Sequence, residues 1–173
     1  MRFILTLAAL LLISAPAQAG VIFDFSFQNV NGNINGIVSG KITLSGTGDG
    51  TFSATSILVN AAPAGLGYTV PLDVLSVMNQ VLLNTFVVSG GQIDKNLSVY
   101  GSQNVSDAFA LNFLGFGSLL NIAYSGSADN GVVDTTNFTL SYSTAAVPEP
   151  STAFALAAVC GVIGGLRRMR RSA

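Results

Sequence analysis

The residues with the most specific chemical pattern form a three-part tail at the C-terminus. Val147-Pro148-Glu149-Pro150 comes first, an uncharged run from Ser151 to Leu166 follows, and Arg167-Arg168-Met169-Arg170-Arg171 comes directly after it. Each proline fixes φ at about −65° and biases the preceding residue away from helix, so the four-residue motif is a stiff, extended peptide. Such a peptide suits an enzyme cleft that accepts extended substrates, and Glu149 offers that cleft a charge for a specific donor.

The uncharged run after the motif has the properties of a short membrane helix. Ser151 or Thr152 can cap its N-terminus, and residues 151–166 span about 24 Å as a helix, against a bilayer core of ~30 Å. Arginine stems can snorkel to the interface and hold the C-terminus on the cytoplasmic side. The pattern predicts a single C-terminal transmembrane helix, with a plain tail anchor as the open alternative. Four residues set its orientation: Arg167, Arg168, Arg170 and Arg171.

The motif, the apolar run and the arginine cluster, in this order, resemble the PEP-CTERM sorting domain. The resemblance implies that Val147, Pro148, Glu149 and Pro150 form a sorting motif for an exosortase, a membrane cysteine-dependent transpeptidase of Gram-negative bacteria that make exopolysaccharide. It also implies export through the inner membrane and transient anchoring there by the C-terminal helix. The final location is then the cell surface or the extracellular space, in association with exopolysaccharide.

The N-terminus has the three parts of a secretory signal peptide. Arg2 is the positive n-region, Phe3 to Ile13 is the apolar h-region, and Ala17-Gln18-Ala19 is a small-residue cleavage site. Signal peptidase is therefore an expected partner, and the mature chain should begin at Gly20. The sequence thus divides into a signal peptide (1–19), an exported body (20–146) and a sorting signal (147–173).

The exported body is poor in the residues that most often do chemistry. It has two basic residues, Lys41 and Lys95, against seven aspartates, so its net charge is −5. A surface of this charge cannot hold phosphates, which excludes nucleic acid as a partner. The body has no Cys, His, Trp or Glu, which removes His-based acid–base chemistry, Ser-His-Asp triads and imidazole metal sites. We expect no catalytic activity, no metal and no cofactor.

The hydrophobic pattern of the body is that of short antiparallel strands. In Val21 to Phe27 the odd positions form one aromatic face, and in Ile37 to Leu44 one face is apolar and the other polar. Thr51 to Val59 reads as a returning strand, while Leu72 to Leu83 favours a short helix or irregular turn. About eight strands separated by turns predict a mostly β, antiparallel sandwich or jelly-roll-like fold. The remaining strands are expected at 85–89, 93–100, 108–114, 119–125 and 137–143, with a turn at 129–131.

Three functional interpretations of the body come from different classes. The leading one is an exported, non-catalytic protein of the envelope or extracellular matrix. The alternative is a carbohydrate-binding module, in which exposed aromatic rings would form a sugar platform. A glycoside hydrolase is third, because it needs two carboxylates in one cleft and the sequence offers no matched pair. The aromatic candidates for the platform are Tyr68, Tyr100, Tyr124 and Tyr142.

Two weaker patterns have simple explanations. Glycosylation acceptor patterns begin at Asn96, Asn104 and Asn137, and chance accounts for them in a chain this rich in Asn and Ser. Aspartates in turns could supply oxygen ligands for calcium, but turn chemistry selects Asp at those places equally well. The residues concerned are Asp49, Asp129 and Asp134.

Overall fold

The structure is a computed structural model that describes residues 20–121 and 130–145. Within them, twelve β-strands, one 3-10 turn (Ala64–Leu66) and one single-turn helix, α1 (Val74–Val77), follow one another. The strands are β1 (Ile22–Gln28), β2 (Ile37–Leu44), β3 (Gly50–Phe52), β4 (Ala54–Ala61), β5 (Leu72–Asp73), β6 (Gln80–Ser89), β7 (Gln92–Ile93), β8 (Val99–Gln103), β9 (Ala108–Phe113), β10 (Gly117–Asn121), β11 (Gly131–Asp134) and β12 (Ser141–Thr144).

The strands form two antiparallel sheets. The first has five strands in the order β12-β1-β2-β4-β5. The second has seven, in the order β11-β10-β9-β8-β6-β3, with β7 paired to β6. The strands from β8 to β11 are sequential neighbours, and the chain returns from β11 to the first sheet to form β12. The predicted mostly β, antiparallel sandwich is confirmed.

The core lies between the two sheets and is centred on Phe109 of β9. Its ring centroid lies 5.8 Å from that of Phe25 and 6.5 Å from that of Phe27, both on β1 of the opposite sheet. Tyr100 on the neighbouring strand β8 is 5.9 Å away. All four side chains are buried. The period-two aromatic pattern of β1 therefore supplies one wall of the core, as the alternation of strand side chains requires.

The returning strand predicted over Thr51 to Val59 is two strands in different sheets. β3 pairs with β6 of the second sheet, and β4 pairs with β2 of the first. The chain crosses between the sheets at Ser53. Beside this crossing, the Asn84 side chain makes the hydrogen bonds to the backbone of Ala54 that a neighbouring strand would otherwise make. Its Oδ1 accepts from the Ala54 N–H at 2.7 Å and its Nδ2 donates to the Ala54 carbonyl at 3.0 Å. The predicted strand is therefore divided by a contact with a side chain that is distant in sequence, although the local residue pattern shows no break.

The segment from Leu72 to Leu83, where a short helix or irregular turn was expected, contains a short helix followed by the start of a strand. The predicted short helix is α1, whose N-cap Asp73 accepts a hydrogen bond from the Leu75 N–H at 3.1 Å. Strand β6 then begins at Gln80, five residues before the predicted start at Thr85. Its first half has a bulge and exposed apolar side chains, Leu82 among them, whereas Leu72 and Met78 before it are buried in the core.

Other predicted strands are broken or shifted by turns. The strand predicted over 93–100 is interrupted between β7 and β8, where the Asp94 carboxylate accepts from the Asn96 N–H at 2.8 Å. The strand predicted over 137–143 begins only at Ser141, because Asn137 has a left-handed φ of 56°. β11 follows the predicted turn and was not predicted as a strand. Residues 122–129, which include part of the strand predicted over 119–125, lie outside the described residues.

Across 20–121 and 130–145, no helix is long and apolar enough to span a membrane. The transmembrane helix predicted over 151–166 lies outside these residues.

Candidate functional site

The tail leaves the body from the end of β12, an edge strand of the five-stranded sheet. Strand β12 pairs antiparallel with β1 in the register Phe23 to Thr144, and the Ala145 N–H extends this pairing by donating to the Ile22 carbonyl at 3.0 Å. Ala145 is buried. It is the last residue that the structure describes, and only Ala146 separates it in sequence from the Val147 motif.

The first described residues, Gly20 and Val21, are held at the same end of the same sheet. The Val21 carbonyl accepts from the Leu44 N–H at 3.0 Å, and the Val21 N–H donates to the Gly46 carbonyl at 3.4 Å. Gly20 packs against the Leu44 carbonyl so closely that a side chain at position 20 would collide with it. Because β1 and β12 are antiparallel neighbours, the first and last residues of the body lie side by side. The expected signal peptide and the C-terminal tail thus adjoin the body at the same end of this sheet.

Most of the predicted targeting residues lie outside the described part of the chain. These are Ala17 and Ala19 of the cleavage site, the sorting motif Val147-Pro148-Glu149-Pro150, and the basic residues Arg167, Arg168, Arg170 and Arg171. Gly20 is described and is half-buried.

The sequence after Ala145 has a recognisable counterpart among protein families. Residues 146–171 match the PEP-CTERM protein-sorting motif. The PEP-CTERM motif marks an exported protein that is anchored in the membrane by its C-terminus before an exosortase cleaves it. The match covers the tail alone and begins one residue after Ala145, the last residue that the structure describes. For the chain as a whole, no curated protein and no solved structure gives a match.

The outer face of the five-stranded sheet carries a polar groove of about 270 Å³. Residues that pair across the strands form rows in this groove. In one row, Ser141 on β12, Ser26 on β1 and Ser39 on β2 lie opposite one another. The hydroxyls of Ser26 and Ser141 are 2.9 Å apart. The groove is lined by Asp24, Phe25, Ser26, Ser39, Gly40, Asn60, Ser141 and Ser143. Hydroxyl, amide and carboxylate groups on one exposed face can exchange hydrogen bonds with a polar ligand.

A single ion pair crosses the neighbouring row of this face. Asp24 pairs with Ser143 on one side and with Lys41 on the other. The Lys41 Nζ lies 2.7 Å from the Asp24 carboxylate, and both side chains are nearly half exposed. Such a pair is screened by water and contributes ~0–1 kcal/mol to stability. It fixes the carboxylate at the groove and offsets the local negative charge.

The proposed tyrosine platform does not form among the described residues. Tyr100 is fully buried in the core, and the ring of Tyr142 packs edge-on against Phe86 at 6.5 Å. Tyr68 is half-buried and donates to the Asn121 carbonyl at 3.3 Å. Burial raises the pKa of all three phenols. Tyr124 lies outside the described residues, so the sugar platform based on an exposed tyrosine row is wrong for the other three.

Each of the six described aspartates stabilises a turn, caps a helix or forms an ion pair. Asp73 caps α1, Asp94 closes the turn after β7, and Asp24 pairs with Lys41. The Asp49 carboxylate bridges two turns, since it accepts from the N–H groups of Gly90 at 2.9 Å and Gly91 at 3.0 Å. These two bonds lower its pKa. Asp107 interacts with Asn104, whose side chain closes the turn between β8 and β9.

Asp134 has the most complete set of partners. The N–H and hydroxyl of Thr139 donate to it, both at 2.7 Å, and those of Thr136 donate at 3.1 and 2.8 Å. Its burial opposes ionisation, but these four bonds outweigh burial and the pKa is lowered. The carboxylate thus holds the turn that carries the chain from β11 back to β12.

The weaker sequence patterns are also placed by the structure. Within 20–121 and 130–145, no three His, Cys, Asp or Glu residues come together as a metal site; Asp129 of the calcium pattern lies outside this part. The Asn137 side chain is bonded inward, donating to Asn112 at 2.6 Å and accepting from Ser118 at 2.8 Å. Its amide nitrogen is therefore engaged, whereas Asn96 is exposed.

An apolar depression of about 180 Å³ lies on the outer face of the other sheet. Gly101 and Ala110, which pair across β8 and β9, form its floor. Leu82, Phe113 and Phe116 line its sides. Phe113 lies directly over Gly101, where a side chain would collide with the ring.

Sequence reasoning did not identify either depression, because each is assembled from residues on several strands. The signal for the polar groove was nevertheless present. The polar positions between buried residues of β1 and β2 are the ones that line it, namely Asp24, Ser26 and Ser39. The residue pattern does not show the strand order, which places β12 beside β1.

Proposed function

We propose that this protein is a non-catalytic component of the cell envelope or extracellular matrix, displayed in contact with exopolysaccharide after an exosortase has processed its tail. The observation that carries the proposal is the PEP-CTERM motif at residues 146–171, directly continuous with the edge strand of a folded β-sandwich. The motif accounts for export, membrane anchoring and processing. The sandwich is the part that performs the final role.

Signal peptidase is the second processing partner in this proposal. It removes residues 1–19 and leaves Gly20 at the N-terminus. Gly20 lies against Leu44 in the same sheet that carries β12, so both cleavages take place at one end of the body. This arrangement supports a body that is held close to the membrane until the tail is cut.

The engagement of the aspartates supports a role without catalysis. A glycosidase needs one carboxyl group that can donate a proton and a second that acts on the sugar from the other side. The pKa values of Asp49 and Asp134 are lowered by hydrogen bonds that hold turns, which is the opposite of what a general acid needs. The hydrolase interpretation is therefore the least supported of the three.

The polar groove favours a carbohydrate-binding module as the second candidate function. Its rows of serine hydroxyls, with Asn60 and Asp24, offer both donors and acceptors to a ligand rich in hydroxyl groups. The net charge of −5 on the body disfavours a polyanionic glycan, so a neutral polysaccharide is the expected ligand.

Matrix association is tested in two strains that differ only in exopolysaccharide synthesis. The processed protein should remain in the cell-bound matrix of the producing strain and appear in the medium of the other strain. An equal distribution in both strains would show that exopolysaccharide does not hold the protein. Retention of the full-length precursor in the inner membrane of both strains would contradict the processing step itself.

A further inference from the structure

Among the residues that the structure describes, strand β12 has one paired edge and one free edge. The Ala145 N–H bonds to Ile22, so these two residues form a hydrogen-bonded pair. In an antiparallel ladder such pairs alternate with non-bonded ones. Thr144, which faces Phe23, and Tyr142, which faces Phe25, therefore direct their backbone N–H and C=O groups away from β1. In the part of the chain that the structure describes, β12 ends the sheet order, and nearby β7 pairs with β6 instead.

The free edge lies within reach of any enzyme bound to the sorting motif. Thr144 precedes Val147 by three residues, at most about 10 Å of extended chain. Pro148 and Pro150 have no N–H group, so half of the four-residue motif cannot donate to a partner strand. An enzyme that binds the motif as an extended peptide gains backbone hydrogen bonds mainly from the residues that flank it.

We propose that the exosortase docks on the folded body by strand addition along the free edge of β12, pairing with the backbone of Thr144 and Tyr142. This inference rests on the proposed function, because it requires that an exosortase processes the tail. An extended segment added to an exposed sheet edge is a common mode of peptide recognition. The hydrogen bonds of β12 to β1 point the other way, so the strand stays in its sheet. The folded sandwich is then part of the substrate.

The first test removes one outward-facing donor. Thr144→Pro deletes an N–H that makes no bond to β1, at an edge position where proline is tolerated. Thr144→Val is the matched control, since it changes the side chain and keeps the donor. Both are made in the full-length precursor, in a host that carries an exosortase, and the conversion of precursor to processed protein is followed by pulse-chase. The proline variant should be processed about tenfold more slowly and the valine variant at the parent rate.

The second test asks whether β12 stays in place during docking. Asp24→Cys with Ser143→Cys sets two thiols across a hydrogen-bonded pair, whose Cα separation of about 5.5 Å permits a disulfide. Cys160→Ala in the same precursor removes the chain's own cysteine. The cross-linked precursor should be processed at the rate of the Cys160→Ala control. A block that is relieved by reductant would mean that β12 must peel away, which overturns strand addition.

The outcomes separate this inference from the proposed function. If the parent precursor is never cut, the processing role fails. If the parent is cut and Thr144→Pro is cut equally fast, strand addition alone fails. Protease resistance of the exported proline variant, equal to that of the parent, shows that the slower processing is not due to misfolding. A protease-sensitive variant is replaced by Thr144→N-methyl-alanine, introduced by semisynthesis and cut by purified exosortase, with Thr144→Ala as control and the same expectation.

Discussion

The Ala145 N–H donates a hydrogen bond of 3.0 Å to the carbonyl of Ile22, and this contact joins the two ends of the exported body. Ile22 lies two residues after the expected first residue of the mature chain, and Ala145 lies two residues before the sorting motif. Because the two residues belong to antiparallel neighbours, the first and last described residues, Gly20 and Ala145, lie at the same end of the sheet.

The first prediction concerns Glu149 of the sorting motif. A plain membrane anchor gains nothing from this side chain, whereas a transpeptidase cleft uses its charge. Glu149→Ala should leave membrane insertion intact but stop processing, so the precursor accumulates in the inner membrane and the surface form disappears. Fractionation and mass comparison measure both. Replacing Arg167, Arg168, Arg170 and Arg171 together should instead impair orientation and retention before any processing. Surface display of Glu149→Ala at the parent's mass and amount would identify the tail as an anchor only.

The N-terminus provides a second prediction. Ala17-Gln18-Ala19 places the cleavage before Gly20, and N-terminal sequencing of the exported protein should begin at Gly20. Gly20→Leu should lower the stability of the mature protein, because a side chain there collides with the Leu44 carbonyl. Val21→Leu is the control, since Val21 is only half-buried. A mature chain that retains Phe3 to Ile13 would make the protein span the membrane twice.

Asp134 makes stability depend on pH in a defined direction. Its folded-state pKa is below the ordinary value of 3.8 because four hydrogen bonds from Thr139 and Thr136 outweigh burial. Its contribution is therefore complete at pH values above the unfolded pKa and is lost as the pH falls through the folded pKa. Asp134→Asn should cost about 1–3 kcal/mol in the free energy of unfolding at pH 7 and should flatten the acid limb of the stability curve. Denaturant unfolding of the processed protein between pH 2 and pH 7, on the order of ten points, measures this.

Asp24→Asn is the matched control for that experiment. Its carboxylate belongs to an exposed pair with Lys41, and its loss should cost ~0–1 kcal/mol. Equal costs for the two variants would mean that the buried hydrogen bonds of Asp134 add nothing beyond a surface charge.

The polar groove predicts selective binding of a neutral polysaccharide. Ser39→Leu places an aliphatic side chain in the groove, and Ser56→Leu makes the same change on the outer face of β4, outside the groove. Affinity electrophoresis of the processed protein through gels that contain dextran, or alginate as a polyanion, compares the two. The parent and Ser56→Leu should be retarded by dextran and not by alginate, and Ser39→Leu should lose the retardation. Equal mobility of all three proteins in dextran would remove the carbohydrate-binding candidate.

Much of the fold followed from local pattern. β2 was predicted with its observed bounds, and the buried positions Phe23, Phe25 and Phe27 of β1 were predicted as one face. These strands have one buried and one exposed face, so period two is visible in the sequence. The failures occurred where contacts between distant residues decided the backbone. Asn84 divides one predicted strand into β3 and β4, and Asn112 and Asn137 hold left-handed turns by bonding to each other.

The candidate sites divide in the same way. The resemblance to the PEP-CTERM sorting domain is confirmed by the family match over residues 146–171, because Val147-Pro148-Glu149-Pro150, the apolar run and the arginines are contiguous in the sequence. The expected tyrosine platform does not form among the described residues. Whether a ring is exposed depends on which face of the sheet it occupies, and strand order and register determine that face. Tyr100 and Tyr142 are strand residues whose faces turn toward the core.

By itself, the sequence determined the class of the fold, the C-terminal sorting signal, and the scarcity in the body of the residue types that most often do chemistry. Each of these depends on composition or on residues close together in the chain. The tertiary structure alone decided that β12 lies beside β1, that serines from three strands form one groove, and that the first and last described residues meet at one end of a sheet. These features require residues 100 and more positions apart to meet, and such pairing is set by the burial of a shared core between two sheets. No local pattern specifies it.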